Sequence, residues 1–244
     1  MADFRKEISE KHLNGSGVEF GPQTNPLYVN PDNGKVTYVD RLTRKASLEL
    51  FPELHASENE IIEPDIIMDL DQDNLTGLLD YSFDFFIANH VIEHLINPIL
   101  FLEDIHEVMK RGAVLYLAVP DKNFIFDRDR LLTSNDHLWD DYKNKERKVS
   151  VEHLNDFIIN ITRDVIQAEQ KHLYFDKIPL NWFLKSKLYK IHRKRSIHVH
   201  VWDQSSFDNF LEFAIKKLQF QFKIIEKILS QDTKLEMIYV LEKI

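Results

Sequence analysis

Cysteine is absent from the 244 residues, which excludes disulfides, thiolate metal sites and a cysteine nucleophile and fits a reducing compartment. Long apolar runs are absent too. Nothing approaches the ~18 consecutive residues of a membrane span, and the opening MADFRKEISEKHLN holds no apolar core for a signal peptide. A cytoplasmic chain with no membrane partner is therefore expected. Basic charge is in short supply, with 31 Lys and Arg against 40 Asp and Glu for a net charge of -9. Without a basic face to release phosphate counterions, no nucleic-acid partner is expected. Internal repeats and low-complexity tracts are missing as well. Hydrophobic residues, at 43%, suffice for one full-sized domain over 1–244 carrying an elaboration.

The first 120 residues alternate strand-like and helix-like segments. Gly17 to Gly21, Val36 to Asp40 and Asp65 to Leu70 are expected as the first three strands, with a helix from Thr43 to about Leu54. Phe83 to Ala88 (FDFFIA) is nearly continuously apolar, as a strand buried on both faces of a parallel sheet should be. Asn97-Pro98 starts a helix whose apolar residues, from Phe101 to Met109, recur at helical spacing until Gly112. Ala113 to Val119 is the fifth strand. Such alternation predicts βαβ units and a parallel sheet.

Beyond Pro120 the pattern breaks. Residues 121–201 are polar, aromatic and charged, with helical patches around Val151 to Ile166. Regularity returns over 203–244: Asp203 caps a helix, then Gln219 to Leu229 and Lys234 to Lys243 alternate as an antiparallel strand pair. The chain is thus α/β and Rossmann-like, with seven strands, the last antiparallel, and a helical insertion after the fifth. A nicotinamide-binding domain would carry a parallel sixth strand and a GxGxxG turn instead.

In open α/β sheets, ligands bind beyond the carboxyl ends of the strands. Those ends carry Glu19 and Gly21, Asp40, Asp69 and Leu70, Asn89 and His90, and Pro120-Asp121. The stretch from Tyr81 to Lys122 (YSFDFFIANHVIEHLINPILFLEDIHEVMKRGAVLYLAVPDK) resembles the central block of type 11 and type 23 S-adenosylmethionine-dependent methyltransferases, and GVEFGPQTNP resembles their motif I. Two departures stand out. Motif I has one turn glycine, Gly21, where the common form has three, and the family's LKPGG is Met109-Lys110-Arg111-Gly112-Ala113 here. The resemblance implies a class I methyltransferase with S-adenosylmethionine as cofactor and S-adenosylhomocysteine as product. It places Glu19 and Gly21 beside the methionine part, Asp40 on the ribose hydroxyls, Asp69 and Leu70 around the adenine, and Asn89 and His90 near the sulfonium. A non-catalytic partner subunit of the same fold is the alternative. His94 in VIEH is expected to pack or hydrogen-bond within its helix.

The insertion is expected to form the substrate lid. Lys122, Arg128 and Arg130 suit an anionic small molecule, since Arg binds phosphate or carboxylate in bidentate fashion, or else they form a salt-bridged loop with Asp127 and Asp129. Lys143 to Lys148 is expected as a solvated face, and Lys185 to Arg195 as a local basic patch. Alternation in Ile197-His198-Val199-His200-Val201 puts both imidazoles on one side of an extended segment, with His137, His153 and His192 elsewhere. Metal is not expected, because no third ligand can be placed from sequence. His90, Asp121, His198 and His200 are the candidate bases for an oxygen acceptor. Enzymes resembling this one are often associated with surface sugars, so a sugar-linked or phosphorylated precursor is expected, with capsule precursors and their phosphoramidate groups included.

Overall fold

The computed structural model describes residues 3–51, 54–55, 60–161 and 182–244. Its centre is a seven-stranded sheet in the order β3-β2-β1-β4-β5-β7-β6. The strands are β1 (Gly15–Phe20), β2 (Gly34–Asp40), β3 (Ile66–Ile67), β4 (Phe85–Asn89), β5 (Val114–Pro120), β6 (Phe222–Ile228) and β7 (Glu236–Lys243). The first five pair in parallel, while β7 runs antiparallel to both β5 and β6. The expected topology is therefore present, down to the terminal hairpin.

Period-two alternation explains why β4 and β5 are apolar throughout. Phe86, Ala88, Leu115 and Leu117 join the larger core on one face, and Phe85, Ile87, Tyr116 and Ala118 join a second core on the other. Gly17 of β1 makes room for this packing, since a Cβ there would lie 2.0 Å from the Phe85 ring. α3 (Pro98–Val108) covers the larger core with Phe101, Leu102 and Ile105, and Asn97 caps it by accepting from Leu100 N at 3.0 Å. α7 (Gln204–Leu218) opens on a reciprocal capping box between Asp203 and Ser206.

Several boundaries differ from expectation, for local reasons. α1 (Phe4–His12), capped by Asp3, was not foreseen; its Ile8 packs under the second core. α2 (Arg44–Leu50) stops before Leu54. β3 keeps two residues of the expected six, because after Met68 the chain turns and Asp69 accepts from Asp71 N at 3.0 Å. Phe83 precedes β4 rather than opening it. His94 lies on a separate 3-10 turn, Ile92–His94, and its ring bonds outside that turn.

The insertion contains α4 (Asn135–Asn144), α5 (Val151–Asn160) and α6 (Trp182–His192). The expected helical patch beyond residue 161 falls outside the described residues. α5 presents Leu154, Phe157 and Ile158 to Leu188, Ile197 and Val199, so the insertion has a small apolar core of its own. Among the described residues no helix is long and apolar enough to cross a membrane.

Candidate active site

A cavity of about 1120 Å³ opens at the carboxyl ends of β1, β2 and β4. Pockets for one small ligand run ~300–1,000 Å³, so this one has room for a cofactor with an acceptor beside it. Gly21, Asp40, Asp69, Leu70, Asn89 and His90 all line it. Gly21 takes a left-handed conformation (φ +60°), turning the chain away from β1 as a side chain would resist doing.

Asp40 accepts from Leu42 N at 3.2 Å, and burial raises its carboxyl above the ordinary value. Asn89 Oδ1 is buried with no hydrogen-bond partner among the described residues, leaving a polar acceptor for a ligand. Asp71, which sequence reasoning passed over, joins this acidic end; it accepts from Ile96 N at 2.8 Å and burial pushes it up to about 6. The residues therefore fit a ligand offering hydroxyl and amino donors beside an apolar ring.

Glu19 does not line the cavity. It is fully buried beneath it, where Oε1 accepts from Leu27 N at 2.8 Å and Oε2 has no hydrogen-bond partner among the described residues. Burial pushes this carboxyl up to about 8. Its place is to brace the loop after Gly21 from below.

At the end of β4, His90 adopts a left-handed conformation (φ 54°) and its Nε2 lies 2.6 Å from Glu236 Oε2. Arg5 of α1 pairs with the same carboxylate, and together the two partners hold Glu236 down to about 2 although burial opposes its charge. His94 also lines the cavity and hydrogen-bonds Ile197 O through Nδ1 at 2.9 Å. Burial and the neighbouring His198 push its imidazole down to about 3. Between them Glu93 is buried, and burial raises its carboxyl.

His198 reaches this group because its strap crosses the 3-10 turn, with Val199 N and His200 N both donating to Glu93 O. It stands behind His94, off the cavity wall, with ring centroids 4.7 Å apart. Its Nδ1 lies 2.5 Å from Asp127 Oδ2. Burial opposes charge on this ring, yet Asp127 holds its pKa above the ordinary value. The VIEH motif carried the signal for Glu93, whereas Asp127 was marked only as a salt-bridge partner for the arginines of its own loop, a pairing that Arg130 makes.

The remaining expected residues are engaged elsewhere. Asp121 accepts from Asn123 N, Gln204 N and the Ser230 hydroxyl, a buried junction off the cavity wall. Lys122 donates to Arg130 O. Arg130 is buried, giving 2.8 Å bonds to Asp127 and to Asp156, and Arg128 is exposed outside the lining. His200 does not share the surroundings of His198: it bonds Ile96 O and packs with His137 and His153. The basic side chains on the wall are Arg41, Arg147, Lys148, Arg193 and Arg195, of which Arg41, Arg147 and Arg195 donate to the carbonyls of Lys194, Asp71 and Leu50. Arg147 and Lys148 thus belong to the cavity and not merely to a solvated face, while Arg193 and Arg195 turn the basic patch inward.

The family model described as "Methyltransferase domain" matches residues 1–212. No curated protein matches the sequence. Among solved structures, a Rhodobacter sphaeroides chain named for Zn-dependent alcohol dehydrogenases is 12% identical, with a TM-score of 0.52 over 100% of this chain and 90% of that one. An S-adenosylmethionine-dependent methyltransferase from Methanosarcina mazei is 14% identical, with a TM-score of 0.45 over 100% and 98%. Another from Clostridium acetobutylicum is 9% identical, with a TM-score of 0.47 over 98% and 88%. At such identities a structural likeness speaks of fold and not of activity, so the family rests on the model match. The chain belongs to this methyltransferase domain family and is a class I methyltransferase with S-adenosylmethionine as its cofactor.

Proposed function

We propose that the chain methylates an oxygen of a small, anionic, hydroxyl-bearing acceptor. One observation carries this reading: the cavity wall joins acidic side chains at the strand ends to basic side chains from the insertion. Asp40, Asp69 and Asp71 gather at the ends of β2 and β3, while Arg147, Lys148, Arg193 and Arg195 come from the insertion. In this reading the acidic residues hold the cofactor. Asp40 takes the ribose hydroxyls, Asp69 and Leu70 the adenine, Gly21 the methionine part, and Asn89 and His90 flank the sulfonium. The basic wall takes a phosphate or carboxylate on the acceptor. A sugar-linked or phosphorylated precursor, such as capsule and other surface-polysaccharide pathways handle, with phosphoramidate-bearing ones included, combines hydroxyls and negative charge in this way.

The cofactor supplies a methyl carbon on a positively charged sulfur, open to in-line displacement. The chain's task is to align the acceptor oxygen with that carbon, and such positioning supplies ~7–11 kcal/mol. The test is a panel of sugar phosphates assayed with the wild type and with an Arg147→Ala/Arg193→Ala double variant. The acceptor KM is expected to rise at least tenfold, with S-adenosylmethionine affinity within about twofold. Equal loss of both affinities, or turnover of neutral sugars alone, would overturn the assignment of the basic wall.

A further inference from the structure

The geometry points to a divalent-cation site formed by Glu93, His94 and His198, with His90 standing beside Glu93. One ligand atom from each of the first three residues lies within 4.8 Å of the others, and His90 Nδ1 is 3.7 Å from Glu93 Oε1. Tetrahedral bonds of ~2.0–2.2 Å to imidazole nitrogen and carboxylate oxygen put donors ~3.3–3.6 Å apart, so these side chains close inward by about 1 Å to hold a cation.

The orientation of each imidazole is the stronger observation. His94 has its Nδ1 on Ile197 O at 2.9 Å, His198 its Nδ1 on Asp127 Oδ2 at 2.5 Å, and His90 its Nε2 on Glu236 Oε2 at 2.6 Å. Each acceptor holds a proton on the nitrogen it faces, so the other nitrogen is the one a cation would take. Metal-binding histidines are oriented in this way by carboxylates and carbonyls. All three are so held, from three separate stretches of chain.

Glu93 supplies an independent reason. It is 1% exposed, and neither carboxylate oxygen has a hydrogen-bond partner among the described residues. A buried carboxylate without hydrogen bonds is costly unless a charge or a metal satisfies it. A set rich in imidazole, with one carboxylate and no thiolate, suits zinc, manganese, iron or cobalt better than magnesium or calcium.

His90 and His94 line the cavity, so remaining coordination positions of the cation face the acceptor. That role rests on the oxygen-methylation reading; the binding site itself does not. A cation touching the acceptor hydroxyl lowers its pKa. The hydroxyl proton leaves to water, the oxygen forms its bond to the methyl carbon, and the carbon–sulfur bond breaks with its electron pair kept by sulfur.

The experiment titrates chelator-treated full chain with Zn²⁺ and Mn²⁺ by calorimetry, with Co²⁺ absorption as a spectroscopic readout. One equivalent of Zn²⁺ per chain is expected, with a Co²⁺ spectrum showing nitrogen coordination. His94→Ala and His198→Ala are expected to lose at least 100-fold in affinity, and Asp127→Asn, acting through His198, ~10–100-fold. His153→Ala probes the other convergent donor group, His137, His153 and His200, and is expected to keep the one equivalent of Zn²⁺. Thermal melts and S-adenosylmethionine affinity of each variant report folding. Absence of uptake, uptake surviving in His94→Ala and His198→Ala, or uptake lost in His153→Ala would overturn the site. Cation binding without transfer to any hydroxyl acceptor would overturn the oxygen-methylation reading and leave the site standing.

Discussion

Glu236, the first residue of β7, lies 2.6 Å from His90 at the end of β4, although 146 residues separate them in sequence. The same carboxylate takes Arg5 of α1, so three distant stretches of chain converge on one side chain. The antiparallel return of β7 along β5, with Glu236 opposite Pro120, makes this meeting possible. His90 sits in a strained left-handed conformation, and Glu236 settles which of its ring nitrogens faces the cavity side.

Glu236→Gln is therefore expected to lower kcat ~10–100-fold through loss of that orientation, while S-adenosylmethionine affinity changes little. Steady-state kinetics alongside calorimetry separate the two quantities. An unchanged kcat would release His90 from any need for Glu236.

Asp40→Ala is expected to weaken S-adenosylmethionine binding ~10–100-fold. The side chain would otherwise accept the ribose hydroxyls through charge-assisted bonds of ~1.5–3 kcal/mol. Calorimetry giving wild-type affinity in this variant would remove Asp40 from the cofactor site.

Glu19 links stability to pH, with a sign set by its raised pKa of about 8. Between pH ~4.5 and ~8 the unfolded chain has released this proton while the folded chain keeps it, so stability falls as pH rises. Glu19→Gln stays neutral and retains an oxygen for Leu27 N. Its Tm is expected to match the wild type near pH 4.5 and to exceed it by several degrees at pH 8, each kcal/mol being ~2–4 °C in a domain this size. Parallel melting curves across that range would contradict the raised pKa.

Arg130→Ala is expected to act on stability first. The buried guanidinium joins Asp127, Asp156 and the His198 carbonyl, and removing one member of a buried ion pair costs ~3–5 kcal/mol. Thermal melts check this, with Arg128→Ala as the comparison, since Arg128 is exposed and is expected to be nearly neutral. Equal Tm values for the two variants would show that the Arg130 network carries no stability.

The sheet was legible in the sequence because its signals are local and periodic. Runs such as FDFFIA and AVLYLAV, the Asn97-Pro98 helix start and the Asp203 cap each act within a few residues. The strand ends that line the cavity, Gly21, Asp40, Asp69, Leu70, Asn89 and His90, follow from that order, because a parallel sheet brings its carboxyl ends together. Glu19 was misplaced by one step of the same alternation: it points into the packed side of β1, where no ligand reaches it.

The insertion obeys no such periodicity. Arg130 looked like an anion ligand until Asp127 and Asp156 closed around it, and Arg147 looked like solvated surface until α4 and α5 set it on the cavity wall. His198 and His200 alternate in sequence, yet one meets Asp127 and the other meets His137 and His153. The residue types and the order of strands were determined by the sequence alone. Which charges meet was decided by tertiary structure, because a buried ion pair or an oriented imidazole depends on chains that are close in space and remote along the backbone.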